Sequence, residues 1–122
     1  VRKLLGGVVD FCCVLVFVAI GRASHEEAAT VSGFLSTAWP FLVGLGAGWA
    51  LLRAWRRPEE VWPVGVGVWV STVVLGMVLR VVAGQGTALA FVIVASVFLG
   101  AALLGWRAGA RVVAARKVSA GH

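Results

Sequence analysis

The sequence predicts an all-α integral membrane protein, a four-transmembrane-helix bundle with both termini in the cytoplasm. Three observations point there. The 122 residues are 61% hydrophobic and only 13% charged, with a mean hydropathy of +0.99, whereas soluble domains run near 45–50% apolar and about 25% charged. A chain this short has too much surface for its volume to hide that much apolar area from water. Four stretches reach the roughly 17–25 apolar residues that a membrane helix needs, and the cations fall at their ends. The 122 residues make one membrane domain.

The first predicted span is 4–20, interrupted only by Asp10. Arg2 and Lys3 precede it as in a signal peptide. The sequence that follows, Gly21-Arg22-Ala23-Ser24-His25-Glu26, offers no clear small-x-small cleavage site. The stretch is therefore read as a retained helix, and Val1 leaves the true start open. Cys12 and Cys13 are helical neighbours pointing about 100° apart, so they read as small apolar filler rather than a redox pair.

Residues 22–36 form the longest predicted external connection. Ser24-His25-Glu26-Glu27 fits a capping box, which predicts a short helix lying on the membrane or running on into the second span. That span is 34–52, with Thr37 as its cap and Pro40 in its first turn, where a missing N–H does no harm. Arg56-Arg57-Pro58-Glu59-Glu60 stops it in a tight polar turn. The third span is 61–82, with Pro63 in its first turn and Arg80 near its end. Gly84-Gln85-Gly86 breaks the chain, and Thr87 caps the fourth span, 87–106. Residues 107–122 read as a basic cytoplasmic tail.

Orientation follows from the cations, which concentrate in cytoplasmic loops. Arg2, Lys3, Arg53, Arg56, Arg57, Arg107, Arg111, Arg116 and Lys117 fall on one side, and Arg22 and Arg80 on the other. Nine against two places both termini and the middle loop inside. Trp55, Trp62 and Trp106 then mark the inner interface and Trp39 the outer one, while Trp49 and Trp69 lie deeper and pack between helices. The net charge of +6 does not point to nucleic acid, because the cations form no polar-interleaved stripe. Anionic lipid headgroups are the expected partners. The chain itself or another membrane protein is a further candidate.

Helices in lipid associate by close backbone approach, so small residues at four-residue spacing mark contact faces. Gly44-x-x-x-Gly48, Thr72-x-x-x-Gly76, Ser96-x-x-x-Gly100 and Ala101-x-x-x-Gly105 have that spacing. A weak repeat matches Arg22 with Arg80, and Thr37-Ala38-x-x-Phe41 with Thr87-Ala88-x-x-Phe91. It suggests two parallel helical hairpins.

The run Asp10…Gly21-Arg22-x-Ser24-His25, Thr37-Ala38-Trp39-Pro40-Phe41, Gly76-Met77-x-Leu79-Arg80 and Gly86-Thr87-Ala88 resembles the prokaryotic membrane proteins grouped as domain-of-unknown-function family 3054. The resemblance covers nearly the whole chain. It implies a small multi-helix protein of a prokaryotic cytoplasmic membrane, with no established activity.

Candidate functional residues are those the membrane makes costly. Asp10 lies about 9 Å into the first span, at 1.5 Å per residue. It is either a proton- or cation-coupling site or a polar contact that fixes packing; packing is the favoured reading, with Arg53 as the expected partner. Arg22 and Arg80 end odd-numbered spans at similar depth. With Thr37 and Thr87 nearby they suggest a small anion pocket, against the simpler reading that both snorkel or pair with Glu26 and Glu27. His25 lacks zinc-hydrolase spacing, and His122 falls on the far side. No motif asks for a metal or cofactor, and none marks an enzyme. The expected function is a structural or accessory membrane component. The alternatives are a small dimeric transporter using Asp10 and an intramembrane enzyme using the external His25 cluster.

Overall fold

The computed structural model describes residues 2–24 and 31–120. It is all helical: α1 (Arg2–Ser24), α2 (Val31–Leu52), α3 (Val66–Val82) and α4 (Leu89–Ala120). Among the described residues, four helical stretches are long and apolar enough to cross a membrane. The helices alternate in direction. Gly6, Pro58 and Trp106 meet at one end, which carries most of the cations and is called the basic end. Arg22, Thr37, Ser36 and Gln85 meet at the opposite end.

Each helix touches the next, and α4 returns to α1, closing a four-membered ring. The tightest seam is α2–α3. A Cβ on Gly44 would lie 2.9 Å from the carbonyl oxygens of Ser71 and Thr72, and one on Gly48 would lie 3.1 Å from Val68 Cα. The backbones therefore nearly touch, and the Ser71 hydroxyl donates to the Gly44 carbonyl at 2.8 Å. This is close approach through small residues, the main attraction open to helices in hydrocarbon. Gly76 seats the Phe41 ring, and Gly100 seats Trp69, whose Nε1 donates to the Ser96 carbonyl at 2.9 Å. Gly105 meets nothing within 4 Å and faces outward.

The core fills with Val14, Phe17 and Val18 from α1, Ala38, Phe41 and Leu45 from α2, Val68 from α3, and Ala95, Leu99 and Leu103 from α4. Phe17 sits at the aromatic centre, edge-on to Phe41 at 5.4 Å and 5.6 Å from Phe98. Outward positions are also apolar: Leu51 and Val82 are about three-quarters exposed. A helix apolar on all faces needs an apolar environment on all faces.

Several element ends differ from the sequence expectation. α2 begins at Val31, so Thr37 is inside it; its hydroxyl donates back to the Gly33 carbonyl at 3.1 Å instead of capping. Pro40 accordingly lies well inside the helix, and it leaves the Ser36 carbonyl without its usual i+4 donor. α2 stops at Arg53, which holds the left-handed conformation (φ 50°) usually given to glycine. The chain around Trp62 is extended (φ −123°, ψ 131°), so regular α3 begins at Val66 after a wide turn over Val61–Gly65. α3 ends as a Schellman motif: Gly84, at φ 78°, donates to the Val81 carbonyl, and Gln85 donates to that of Arg80 at 2.7 Å. α4 starts at Leu89, with the Ala88 carbonyl accepting from Val92, so Thr87 stands one residue before the cap. The helix continues past Trp106 to Ala120, through the stretch expected as a tail. The capping box falls partly on residues 25–30, outside the described residues.

Candidate functional site

Two polar constellations stand at opposite ends of the bundle. The first is built on Asp10. Asp10, Val14 and Phe17 lie at helical spacing on the buried face of α1. Ala95, Leu99, Leu103 and Arg107 recur every four residues on α4 and are all fully buried. The two faces meet, and the Arg107 guanidinium forks onto the Asp10 carboxylate, with Nη1 to Oδ1 at 2.9 Å and Nη2 to Oδ2 at 2.6 Å. Two indoles complete the shell. Trp49 Nε1 donates to Oδ2 and Trp106 Nε1 to Oδ1, each at 2.7 Å.

Arg107 is held as fully as the acid. Its Nε donates to the Pro58 carbonyl at 2.8 Å and Nη1 also donates to the Leu103 carbonyl at 2.9 Å. The guanidinium lies 4.7 Å from the Trp106 ring. Among the described residues, no buried side-chain nitrogen or oxygen is left without a partner. A bidentate, charge-assisted pair sealed from solvent and fully hydrogen-bonded is the geometry in which a buried ion pair offsets its desolvation cost.

The partner of Asp10 is therefore Arg107, and not Arg53. Arg53 ends α2 in a left-handed turn and is exposed. Trp106, expected at the inner interface, also donates its indole N–H to this carboxylate. The four-residue stripe Ala95-Leu99-Leu103-Arg107 was the available signal. The position of Arg107 at the end of the apolar run also groups it with the tail cations.

The second constellation surrounds a cavity of about 630 Å³ at the opposite end. Arg22 and Arg80 both line it, as do Thr37, Gln85 and Gly86. Arg22 Nη1 donates to Thr37 Oγ1 at 2.9 Å. The Schellman turn after α3 folds back so that Arg80 Nε and Nη2 donate to the Gly86 carbonyl at 3.0 and 2.7 Å, and Nη1 donates to Gln85 Oε1 at 2.9 Å. Gln85 Nε2 in turn donates at 3.0 Å to the Ser36 carbonyl that Pro40 left without a helical donor. The Arg80 guanidinium lies 4.4 Å from the centre of the Phe91 ring. Phe17, Val18, Phe91 and Val94 supply apolar walls.

The structure thus brings Arg22, Thr37 and Arg80 to one cavity. Thr87 does not line it, so the two matched halves of the sequence repeat make different contacts: Arg22 uses a threonine hydroxyl, Arg80 a backbone carbonyl and an amide. His25, Glu26 and Glu27 lie outside the described residues.

No curated protein and no solved structure matches the chain. A family model described as a protein of unknown function (DUF3054) matches residues 7–110. That match takes in Asp10, Trp49, Trp106 and Arg107 as well as the cavity residues, and it makes this chain a member of the DUF3054 family.

Proposed function

We propose that this chain is a structural or accessory component of a prokaryotic cytoplasmic membrane, with both termini and the 53–60 loop on the cytoplasmic side. In this reading Asp10 is a clasp that holds the first helix to the last, and not a coupling site for transport. The observation that carries it is the closed shell around the carboxylate. Two guanidinium nitrogens and two indole nitrogens donate to its two oxygens, and both Asp10 and Arg107 have no exposed surface. A carboxylate that exchanges protons or cations needs a route to water; this one is enclosed by α1, α2 and α4. The orientation is supported by the nine-to-two division of cations between the two ends.

The test replaces the charged pair by a neutral one. Asp10→Asn with Arg107→Gln removes both charges, and it keeps an amide pair across the seam and an amide oxygen for one of the two indoles. The expected outcome is a folded protein that fully restores whatever growth or envelope phenotype a deletion strain shows. A double variant that folds with near-native thermal stability yet fails to complement would overturn the clasp reading and favour proton or ion coupling at Asp10.

A further inference from the structure

We infer that the basic end of the bundle docks on anionic phospholipid, whose headgroup phosphates are held by Arg53, Arg56 and Arg111, with the exposed Trp55 and Trp62 at the same end. The charges found there support this. By sequence, nine cations fall at this end against three acids, Asp10, Glu59 and Glu60, and no acid follows Glu60. Asp10 is taken by Arg107, Glu60 by Arg57 at 3.2 Å, and Glu59 is engaged as well. Arg53, Arg56, Arg111, Arg116 and Lys117 are exposed and reach no carboxylate among the described residues. Cations gathered in this way repel one another, and negative charge from outside the chain relieves that repulsion.

Arg53 adds a second, independent observation. It holds φ 50° and ψ 50° at the end of α2, a backbone position where glycine is the unstrained choice. Its side chain is exposed and donates to nothing among the described residues. No contact inside the bundle therefore explains a cation there. A side chain kept at a strained position without an internal partner points to a partner outside. Guanidinium is the group that grips phosphate oxygens in a fork.

Depth identifies that partner as lipid. From Leu89 to Arg107, α4 rises about 27 Å at 1.5 Å per residue, most of a hydrocarbon core roughly 30 Å thick. Arg111 stands about 6 Å further on, within the headgroup layer. Being one turn past Arg107, it shares the face of α4 whose Arg107 Nε reaches the Pro58 carbonyl, so it is turned toward the 53–60 loop. On α2, Leu51 is 75% exposed two residues before Arg53, which sets the apolar boundary just ahead of that cation. Trp62, 73% exposed, and Trp55 have the amphipathic rings that settle at headgroup level. Arg116 and Lys117 lie about 14–15 Å past Arg107 and act on the same surface from further out.

The inference rests on the reading of this chain as a membrane-spanning bundle. The experiment uses the full chain in an uncharged maltoside detergent, with thermal unfolding followed by tryptophan fluorescence. Phosphatidylglycerol is the probe, added to the micelles; phosphatidylcholine carries a zwitterionic head, and inorganic phosphate lacks the lipid. Phosphatidylglycerol is expected to raise the midpoint saturably, and to do so far less at about 1 M salt, where the Debye length is about 3 Å. The other two are expected to be ineffective at equal concentration. Arg53→Gln with Arg56→Gln and Arg111→Gln should weaken the apparent affinity about fivefold per cation, on the order of 100-fold in all. Arg53→Gly separates binding from folding. It should raise the midpoint in detergent alone by relieving the left-handed strain, yet bind phosphatidylglycerol about fivefold more weakly. An equal shift with phosphatidylcholine, a shift with inorganic phosphate alone, or undiminished affinity in either variant would overturn the proposal. A midpoint indifferent to phosphatidylglycerol would overturn it too and leave these cations to an acidic protein. All these variants keep Asp10 and Arg107, so failure here is distinct from failure of the neutral pair to complement.

Discussion

Asp10 illustrates how a single residue is legible in a sequence while its partner is not. A carboxylate inside an apolar run stands out at once, because hydrocarbon makes it costly. Arg107 did not stand out, because it follows Trp106 where the apolar run ends, and a cation there reads as the start of a tail. The helix itself has no reason to stop where apolar residues stop, and α4 continues unbroken to Ala120. The pair also sets the first stability prediction. Asp10→Asn alone leaves the buried Arg107 without a counter-charge and should cost about 3–5 kcal/mol. Arg107→Gln alone should cost a similar amount by stranding the acid. The neutral double variant should recover the part due to the unpaired charge, though not the second indole bond, a non-additivity that a double-mutant cycle measures directly. Trp106→Phe keeps the ring but deletes one donor to the carboxylate and should cost about 1.5–3 kcal/mol. Unfolding in mixed micelles of maltoside and dodecyl sulfate is the suitable readout for all four.

Among the elements, the four helices were readable because apolar length is a strong signal, and their ends were not, because several are set by tertiary contacts. Thr37 and Pro40 carry the marks of a helix start, yet α2 begins at Val31 and both residues serve the inside of the bundle: Thr37 accepts from Arg22, and Pro40 frees the Ser36 carbonyl for Gln85. The glycine spacings were informative in part. Gly44 and Gly48 do meet α3, whereas Gly105 meets nothing within 4 Å, a distinction spacing alone does not contain. The two positions should therefore respond oppositely. Gly44→Ala forces apart backbones that lie 2.9 Å from the added carbon and should cost about 1–3 kcal/mol. Gly105→Ala enters open space and should be neutral or stabilising by up to about 1 kcal/mol through helix propensity. Thermal midpoints of the two single variants in one detergent check this. A destabilised Gly105→Ala would mean that its face is covered, as in a dimer, and cross-linking would then find the second copy.

At the scale of the whole molecule, the two ends of the bundle are chemically unlike. The basic end is tied shut around one ion pair, and the opposite end holds open a lined cavity. The cation asymmetry predicts that a green fluorescent protein fused after His122 fluoresces and that an alkaline phosphatase fused there stays inactive; the reverse pair of results would invert the bundle. The ring of contacts among the helices could not be read from the sequence, because it depends on which faces meet across long separations. The clasp is the extreme case. Its two residues are 97 positions apart, so a ribosome moving at about 5–20 residues per second delivers the acid roughly 5–20 s before the base. For that interval the newborn first helix carries an unanswered negative charge, and the final turns of synthesis are what make it acceptable. Chains cut short after Trp106 should consequently be cleared by membrane proteases much faster than the full protein in a pulse–chase experiment, and Asp10→Asn should lengthen the survival of the shortened form while shortening that of the complete one.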